Sequence, residues 1–187
     1  MEDLVQAASS LQSFCVKRHW NFCFIGGLAL QYWGRPRLTQ DVDLCLLTGF
    51  GNEDAYINPL LAEYGARIDN PRDFALRNRV LLLKTSQGIG LDISLGAIPF
   101  EEQVVSRSRA VEFLPGVSLR ICSAEDLVVL KAFADRLQDW ADVENVIKKQ
   151  INALDWAYID QQLGTLCQLK EAPEIPEKLS ELKHRLS

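Results

Sequence analysis

Two aspartates one residue apart, Asp41 and Asp43, open the apolar run Asp41-Val42-Asp43-Leu44-Cys45-Leu46-Leu47. Side chains alternate along a strand, so both carboxylates share one face while Val42 and Leu44 take the other. Aspartate is disfavoured in strands and like charges on one face repel, so the pair calls for a compensating positive charge. A divalent cation would supply it. Mg²⁺ is a hard ion that takes one or two protein carboxylates together with the phosphate oxygens of a substrate. The pair could equally cap a loop or stand solvated at the head of the strand. Upstream, Phe22–Ile25 is a compact apolar run of strand type that halts at Gly26-Gly27, and Leu28–Trp33 reads as a short helix stopped by Gly34 with Pro36 beyond it. A strand, a side-chain-free turn and a helix N-terminus concentrate unpaired N–H donors and the positive end of the helix dipole, which suits phosphate oxygens.

An apolar residue, Gly26-Gly27, thirteen residues and then Asp41-Val42-Asp43-Leu44 resembles the signature of the nucleotidyltransferase-fold superfamily that includes DNA polymerase β. More narrowly, Gly26-Gly27-Leu28-Ala29 followed by Gly34-Arg35-x-Arg37-x-Thr39-x-Asp41-Val42-Asp43-Leu44 is similar to the minimal and AbiEii-like toxin nucleotidyltransferases. The resemblance implies an α+β nucleotidyltransferase fold, a mixed β-sheet flanked by helices with a C-terminal helical segment. It also implies transfer of a nucleoside monophosphate from a nucleoside triphosphate, with Mg²⁺ as cofactor. Asp41 and Asp43 would bind the metal, the Gly26-Gly27 turn the phosphates, and Arg37 or Thr39 would assist.

Two further segments extend the likeness. Asp92 sits between Leu91 and Ile93, where a buried lone carboxylate would be costly without a partner. Leu91–Glu102 resembles the segment that supplies a third carboxylate in this fold, which makes Asp92 the candidate to share a metal and help deprotonate the acceptor hydroxyl; a hairpin aspartate paired with an arginine or a backbone N–H is the bland alternative. Glu125–Ile147 is similar to the family stretch E-D-L-x-x-x-K-x-x-A-x-R-x-x-D-x-x-D. The resemblance makes Lys131 the lysine that reaches the nucleotide's phosphates, while Arg136, Asp139 and Asp142 match the pattern but are equally explained as an ion-pair network.

The elements that position these residues follow from periodicity and punctuation. Glu2–Arg18 is an amphipathic helix with Leu4, Val5, Ala8, Leu11, Phe14 and Cys15 on one side. Ala55–Tyr64 reads as a helix ended by Gly65, Arg67–Arg77 as an exposed polar connection, and Arg79–Lys84 and Leu91–Leu95 as the strands of a hairpin. Glu101 and Glu102 read as surface or helix-start residues, Val104–Val111 as a further strand or edge, and Val117–Cys122 as a strand. Ser123 then caps a helix from Ala124 to about Leu137 with Asp126 in the capping-box position; Leu127, Leu130, Phe133, Ala134 and Leu137 form its apolar stripe and Lys131 its more polar side. Asn152–Lys170 is one more helix, and Glu177–Ser187 a charged helical tail. Residues 1–122 are expected to form the catalytic core and 123–187 a helical annex packed on it.

Composition bounds the function. Of 187 residues 48% are hydrophobic and 24% charged, enough for an ordinary globular core. No apolar run approaches the roughly 18 residues of a membrane span, and the acidic opening MEDLVQ lacks the layout of a secretion signal, so a cytoplasmic setting is expected. Five widely spaced cysteines, odd in number, read as reduced core residues, and two histidines leave little room for zinc or triad chemistry. A net charge of −5 argues against general nucleic-acid binding. A local patch drawn from Arg35, Arg37, Arg67, Arg72, Arg77, Arg79 and Lys84 could still meet a tRNA end, although arginines scattered in this way are more often solvated surface. Three functions compete: transfer to RNA (tRNA) or protein with a cognate antitoxin as partner, transfer to a small hydroxyl compound as in antibiotic-modifying relatives, and a binding module of the same fold without turnover.

Overall fold

Residues 1–186 of the computed structural model are described, and they divide into two compact units. The first contains Met1–Leu28 and Leu38–Cys122; the second contains Ala29–Arg37 and the chain from Ser123 onward.

The first unit holds a seven-stranded mixed sheet. Its strands are β1 (Phe22–Phe24), β2 (Asp41–Leu47), β3 (Gly65–Ala66), β4 (Val80–Lys84), β5 (Gly90–Gly96), β6 (Arg109–Leu114) and β7 (Val117–Ile121), in the order β3-β4-β5-β2-β1-β7-β6. The three strands β5, β2 and β1 lie at its centre. β2 pairs parallel with β5 and antiparallel with β1, and the hairpins β4–β5 and β6–β7 complete the two flanks. Val42, Leu44 and Leu46 are fully buried on one face of β2, as period-2 alternation requires. On the other face Cys45 and Leu47 follow the two aspartates. Helix α5 (Pro99–Ser106) closes that end: a methyl group at Gly96 would strike Leu47 at 3.0 Å, Glu101 at 3.3 Å and Cys45 at 3.4 Å, and Cys23 Sγ–H donates to the Val104 carbonyl at 3.7 Å. α5 therefore covers the C-terminal half of β2 and stops short of Asp41 and Asp43.

Helix α1 (Glu2–Lys17) lays Leu4, Val5, Ala8, Leu11, Phe14 and Cys15 against β2, β6 and β7. Trp20 packs on Phe14 and Tyr56. Helix α3 (Asp54–Glu63) leads into β3.

Three local expectations need correction. Arg67–Arg77 is not one exposed connection, because α4 (Pro71–Asn78) forms within it. Proline at the first helical position has its φ preset and lacks only an N–H that would be unpaired there anyway, so Pro71 starts a helix whose one buried residue, Ala75, leaves no apolar period to read. The segment from Val104 to Val111 is the end of α5 followed by β6, since Val104 and Val105 fill one side of a helix. Helix α6 (Ala124–Ala134) ends early: Asp135 adopts a left-handed φ of 56°, and a new helix, α7 (Leu137–Gln150), begins after it. Leu137 is consequently 92% exposed, Ala134 is exposed as well, and the buried side of α6 is made by Leu127, Val128, Val129, Ala132 and Lys131.

The second unit is helical. α6 packs on α7, α8 (Trp156–Lys170) and α9 (Glu174–Leu186), and the residues of helix α2 (Gly26–Trp33) from Ala29 onward belong to it. Ser123 caps α6 as its sequence implies, its Oγ accepting from the Asp126 N–H at 3.1 Å and donating to Asp126 Oδ2 at 2.6 Å. All five cysteines are buried thiols. Among the described residues no helix is long and apolar enough to cross a membrane.

Candidate active site

The parallel register of β2 against β5 sets Asp41 opposite Gly90 and Asp43 opposite Asp92. Residues paired in this way project to the same side of a sheet. Asp92 therefore joins Asp41 and Asp43 on one face, at the end that α5 leaves uncovered. The side chains of Asp41 and Asp92 remain 47% and 32% exposed, so ligand can approach them.

Asp43 lies against the start of α2. Its Oδ2 accepts the Gly27 N–H at 3.2 Å, and its backbone carbonyl accepts the Ile25 N–H at 3.0 Å. The two glycines are what permit this approach. Gly26 has φ +55°, and a methyl group on it would stand 2.1 Å from Asp43 Oδ2; one on Gly27 would stand 2.4 Å from Thr39 Oγ1. Helix α2 begins at this pair, and the left-handed φ of Gly26 makes the turn from β1 into it. Thr39 Oγ1–H donates to the Asp41 carbonyl at 3.4 Å, tying the approach to β2 beneath the helix terminus.

Arg67 is the residue that periodicity does not reveal. It follows β3, its backbone N–H is held by the Leu82 carbonyl at 3.1 Å, and its guanidinium reaches over the carboxylate face. Nη2 donates to Asp92 Oδ1 and Nη1 to Asp41 Oδ1 at 3.5 Å. Gly90 makes room, since a methyl group there would lie 2.0 Å from Asp41 Oδ1 and 2.9 Å from Arg67 Nη1. Arg67 is therefore not a solvated surface arginine. Burial pushes the Asp92 carboxyl above its usual range and the neighbouring charge of Asp41 adds to this, while Arg67 works the other way. Arg72 and Arg79 are also committed, to Asp54 and Glu53 respectively.

Carboxylate oxygens from two adjacent strands, half open to solvent and flanked by a helix N-terminus, are the donor chemistry a hard divalent ion takes. Among the described residues no three such side chains converge as they stand on a single point, and Arg67 lies between Asp41 and Asp92.

In the second unit Lys131 and Arg37 join an ion cluster around the buried Asp139 and Asp142. Lys131 Nζ is 3.0 Å from Asp139 Oδ1 and 2.7 Å from Asp142 Oδ2. Arg37 takes Asp142 in a fork, Nε to Oδ1 and Nη2 to Oδ2 both at 3.1 Å, and Arg136 Nε binds Asp139 Oδ2 at 2.5 Å. Lys131 is only 6% exposed, so it does not sit on a polar side of α6. Burial raises the Asp139 carboxyl, but hydrogen bonds from Arg136 and Lys131 outweigh it and hold the group below its usual range.

Similarity to known proteins bears on the fold and the family. The model of the family "Nucleotidyl transferase AbiEii toxin, Type IV TA system" matches residues 14–181. No curated protein sequence matches. Among solved structures, an antigenic nucleotidyltransferase-like protein from Paracoccidioides brasiliensis superposes with a TM-score of 0.56 at 15% identity, covering 98% of this chain and 93% of its own. The lincomycin-bound lincosamide antibiotic adenylyltransferase LnuA superposes with a TM-score of 0.51 at 13% identity, over 73% of this chain and 92% of its own. The antibiotic-resistance factor ANT(2'')-Ia gives 0.50 at 14% identity, over 98% and 93%. At such identities these structures establish the fold, and the family match over most of the chain establishes more: the protein belongs to the AbiEii family of nucleotidyltransferases.

Proposed function

We propose that this protein moves a nucleoside monophosphate from a nucleoside triphosphate to a hydroxyl acceptor on RNA, such as a tRNA end, or on a protein, in a Mg²⁺-dependent reaction. The observation that carries the reading is the grouping of Asp41, Asp43 and Asp92 on one open face beside the N-terminus of α2. Asp41, Asp43 and Asp92 are the residues that would hold the metal. When bound, the divalent ion supplies positive charge that stabilises the α-phosphate and the departing pyrophosphate.

The chain's own groups do the rest. Gly26 and Gly27 let the start of α2 lie against Asp43 and Thr39, and the positive end of its dipole is assigned to incoming phosphate oxygens. Asp92, on the strand beside Asp43, is assigned the role of helping to deprotonate the acceptor hydroxyl. The family pattern assigns Lys131 to the nucleotide's phosphates, with Thr39 or Arg37 assisting, a role for which Lys131 must leave Asp139 and Asp142. Membership of a toxin family supports a cognate antitoxin as partner.

The reading is tested by incubating the protein with each labelled nucleoside triphosphate and Mg²⁺ against separate pools of tRNA, total protein and small metabolites. Transfer to tRNA or protein is expected, abolished by EDTA and by Asp43→Asn with the circular dichroism of the fold retained. Undiminished labelling by Asp43→Asn overturns the site assignment, and label confined to small metabolites overturns the macromolecular acceptor.

A further inference from the structure

The guanidinium of Arg67 lies on the carboxylate face, with one nitrogen on Asp92 and another on Asp41. Three carboxylates on adjacent strands repel one another unless a cation neutralises them. Here the chain brings its own. The contact is closely packed, and one of its donors is left without an acceptor. Gly90 is side-chain-free where Asp41 and Arg67 meet, and their side chains occupy the place a methyl group would take, which lets the guanidinium come close to the carboxylate. Arg67 Nε, moreover, is buried without a hydrogen-bond acceptor, so the guanidinium keeps a donor in reserve while its other nitrogens are engaged. A buried donor without an acceptor favours a rearrangement that supplies an anionic oxygen.

We propose that Arg67 is the resident counter-ion of the Asp41–Asp43–Asp92 site, giving way to the divalent ion and transferring its guanidinium to the phosphates of the arriving nucleotide. This deepens the function proposed above and rests on it. The coupling follows from charge. A metal ion arriving alone must displace a guanidinium that then has nowhere to go, so it binds weakly. A metal ion arriving with a nucleotide brings phosphate oxygens, which accept the displaced guanidinium in the bidentate geometry that arginine favours. Metal and nucleotide therefore strengthen each other's binding, and by linkage each does so by the same factor. Arg67 then touches the nucleotide's phosphates directly and is a binding residue of the site.

The test is Mn²⁺ binding, followed by the electron paramagnetic resonance of free Mn²⁺, for wild type, Arg67→Gln, Arg67→Lys and Asp43→Asn, each without nucleotide and with a non-transferable α,β-methylene triphosphate. Arg67→Gln removes the competing charge, so without nucleotide it is expected to bind Mn²⁺ about tenfold or more tightly than wild type. The tightening produced by the nucleotide analogue, marked in wild type, is expected to shrink in Arg67→Gln. Arg67→Lys keeps a charge and should stay near wild type without nucleotide. If Arg67→Gln keeps the wild-type circular dichroism yet binds Mn²⁺ no better than wild type, the counter-ion role is wrong while the metal site stands. Should Arg67→Gln fail to fold, an Arg67→Lys protein whose Mn²⁺ affinity without nucleotide departs from wild type by tenfold overturns the proposal in its place. If wild type with the analogue binds Mn²⁺ no better than Asp43→Asn does, the metal site itself falls, and this proposal with it.

Discussion

At the scale of single residues, the site depends on atoms that are missing as much as on those present. Gly26 accepts a left-handed φ and lies so near Asp43 that a methyl group would overlap its carboxylate oxygen. Gly26→Ala therefore meets two penalties, backbone strain and a clash with a side chain held by β2. A loss of about 2–3 kcal/mol is expected, and because Asp43 must move to admit the methyl group, transfer activity should fall with it. Urea denaturation together with the labelling assay checks both; a variant as stable as wild type would show that Asp43 is free to shift. The importance of Gly26 was legible in the Gly-Gly pair preceding the aspartates, whereas Gly90 was not. Its role comes from contact with Asp41 and Arg67, residues 49 and 23 positions earlier in the chain.

Among the elements, the α6–α7 pair shows how charge substitutes for apolar packing. Asp139 and Asp142 project from α7 into a region where Lys131, Arg37 and Arg136 surround them. Buried carboxylates survive there because each one accepts bonds from two cations. The linkage has a definite sign: Asp139 is held below its usual range, so it contributes stability that is fully present above the unfolded value near ~3.9 and is lost as pH falls through its lower folded value. Asp139→Asn should lower stability at neutral pH and flatten the acid side of the stability profile, as read from urea midpoints between neutrality and about pH 3. Equal acid dependence in wild type and in the Asp139→Asn variant would place the acid sensitivity elsewhere. The sequence announced α6 through the Ser123 and Asp126 cap, but it hid the end of that helix. Asp135 is no strong helix breaker, and only the left-handed turn at its Cα reveals that Leu137 begins a new helix.

On the scale of the whole molecule, both units exclude water from their thiols. Cys15, Cys23, Cys45 and Cys122 are buried in the first unit and Cys167 in the second. Burial pushes the Cys15 thiol up to about 12, and Cys167 is raised for the same reason, so thiolate is scarce as well as inaccessible. The native protein should accordingly react negligibly with Ellman's reagent near pH 8 and show all five thiols reactive in guanidinium. Rapid reaction of any thiol in native conditions would mark a region that opens more readily than its packing implies.

The sequence by itself determined the mixed α+β architecture, the strand that carries Asp41 and Asp43, their common face, and the family. The strand and the common face follow from local rules of alternation and punctuation, while the architecture and the family are what the resemblance of its motifs implies. Only the tertiary structure decided that Asp92 stands in register beside Asp43, that Arg67 reaches both Asp92 and Asp41, and that Lys131 is enclosed by Asp139 and Asp142. Strand register and long-range ion pairing depend on which elements come together in space, and residues far apart in the chain carry no periodic trace of that meeting.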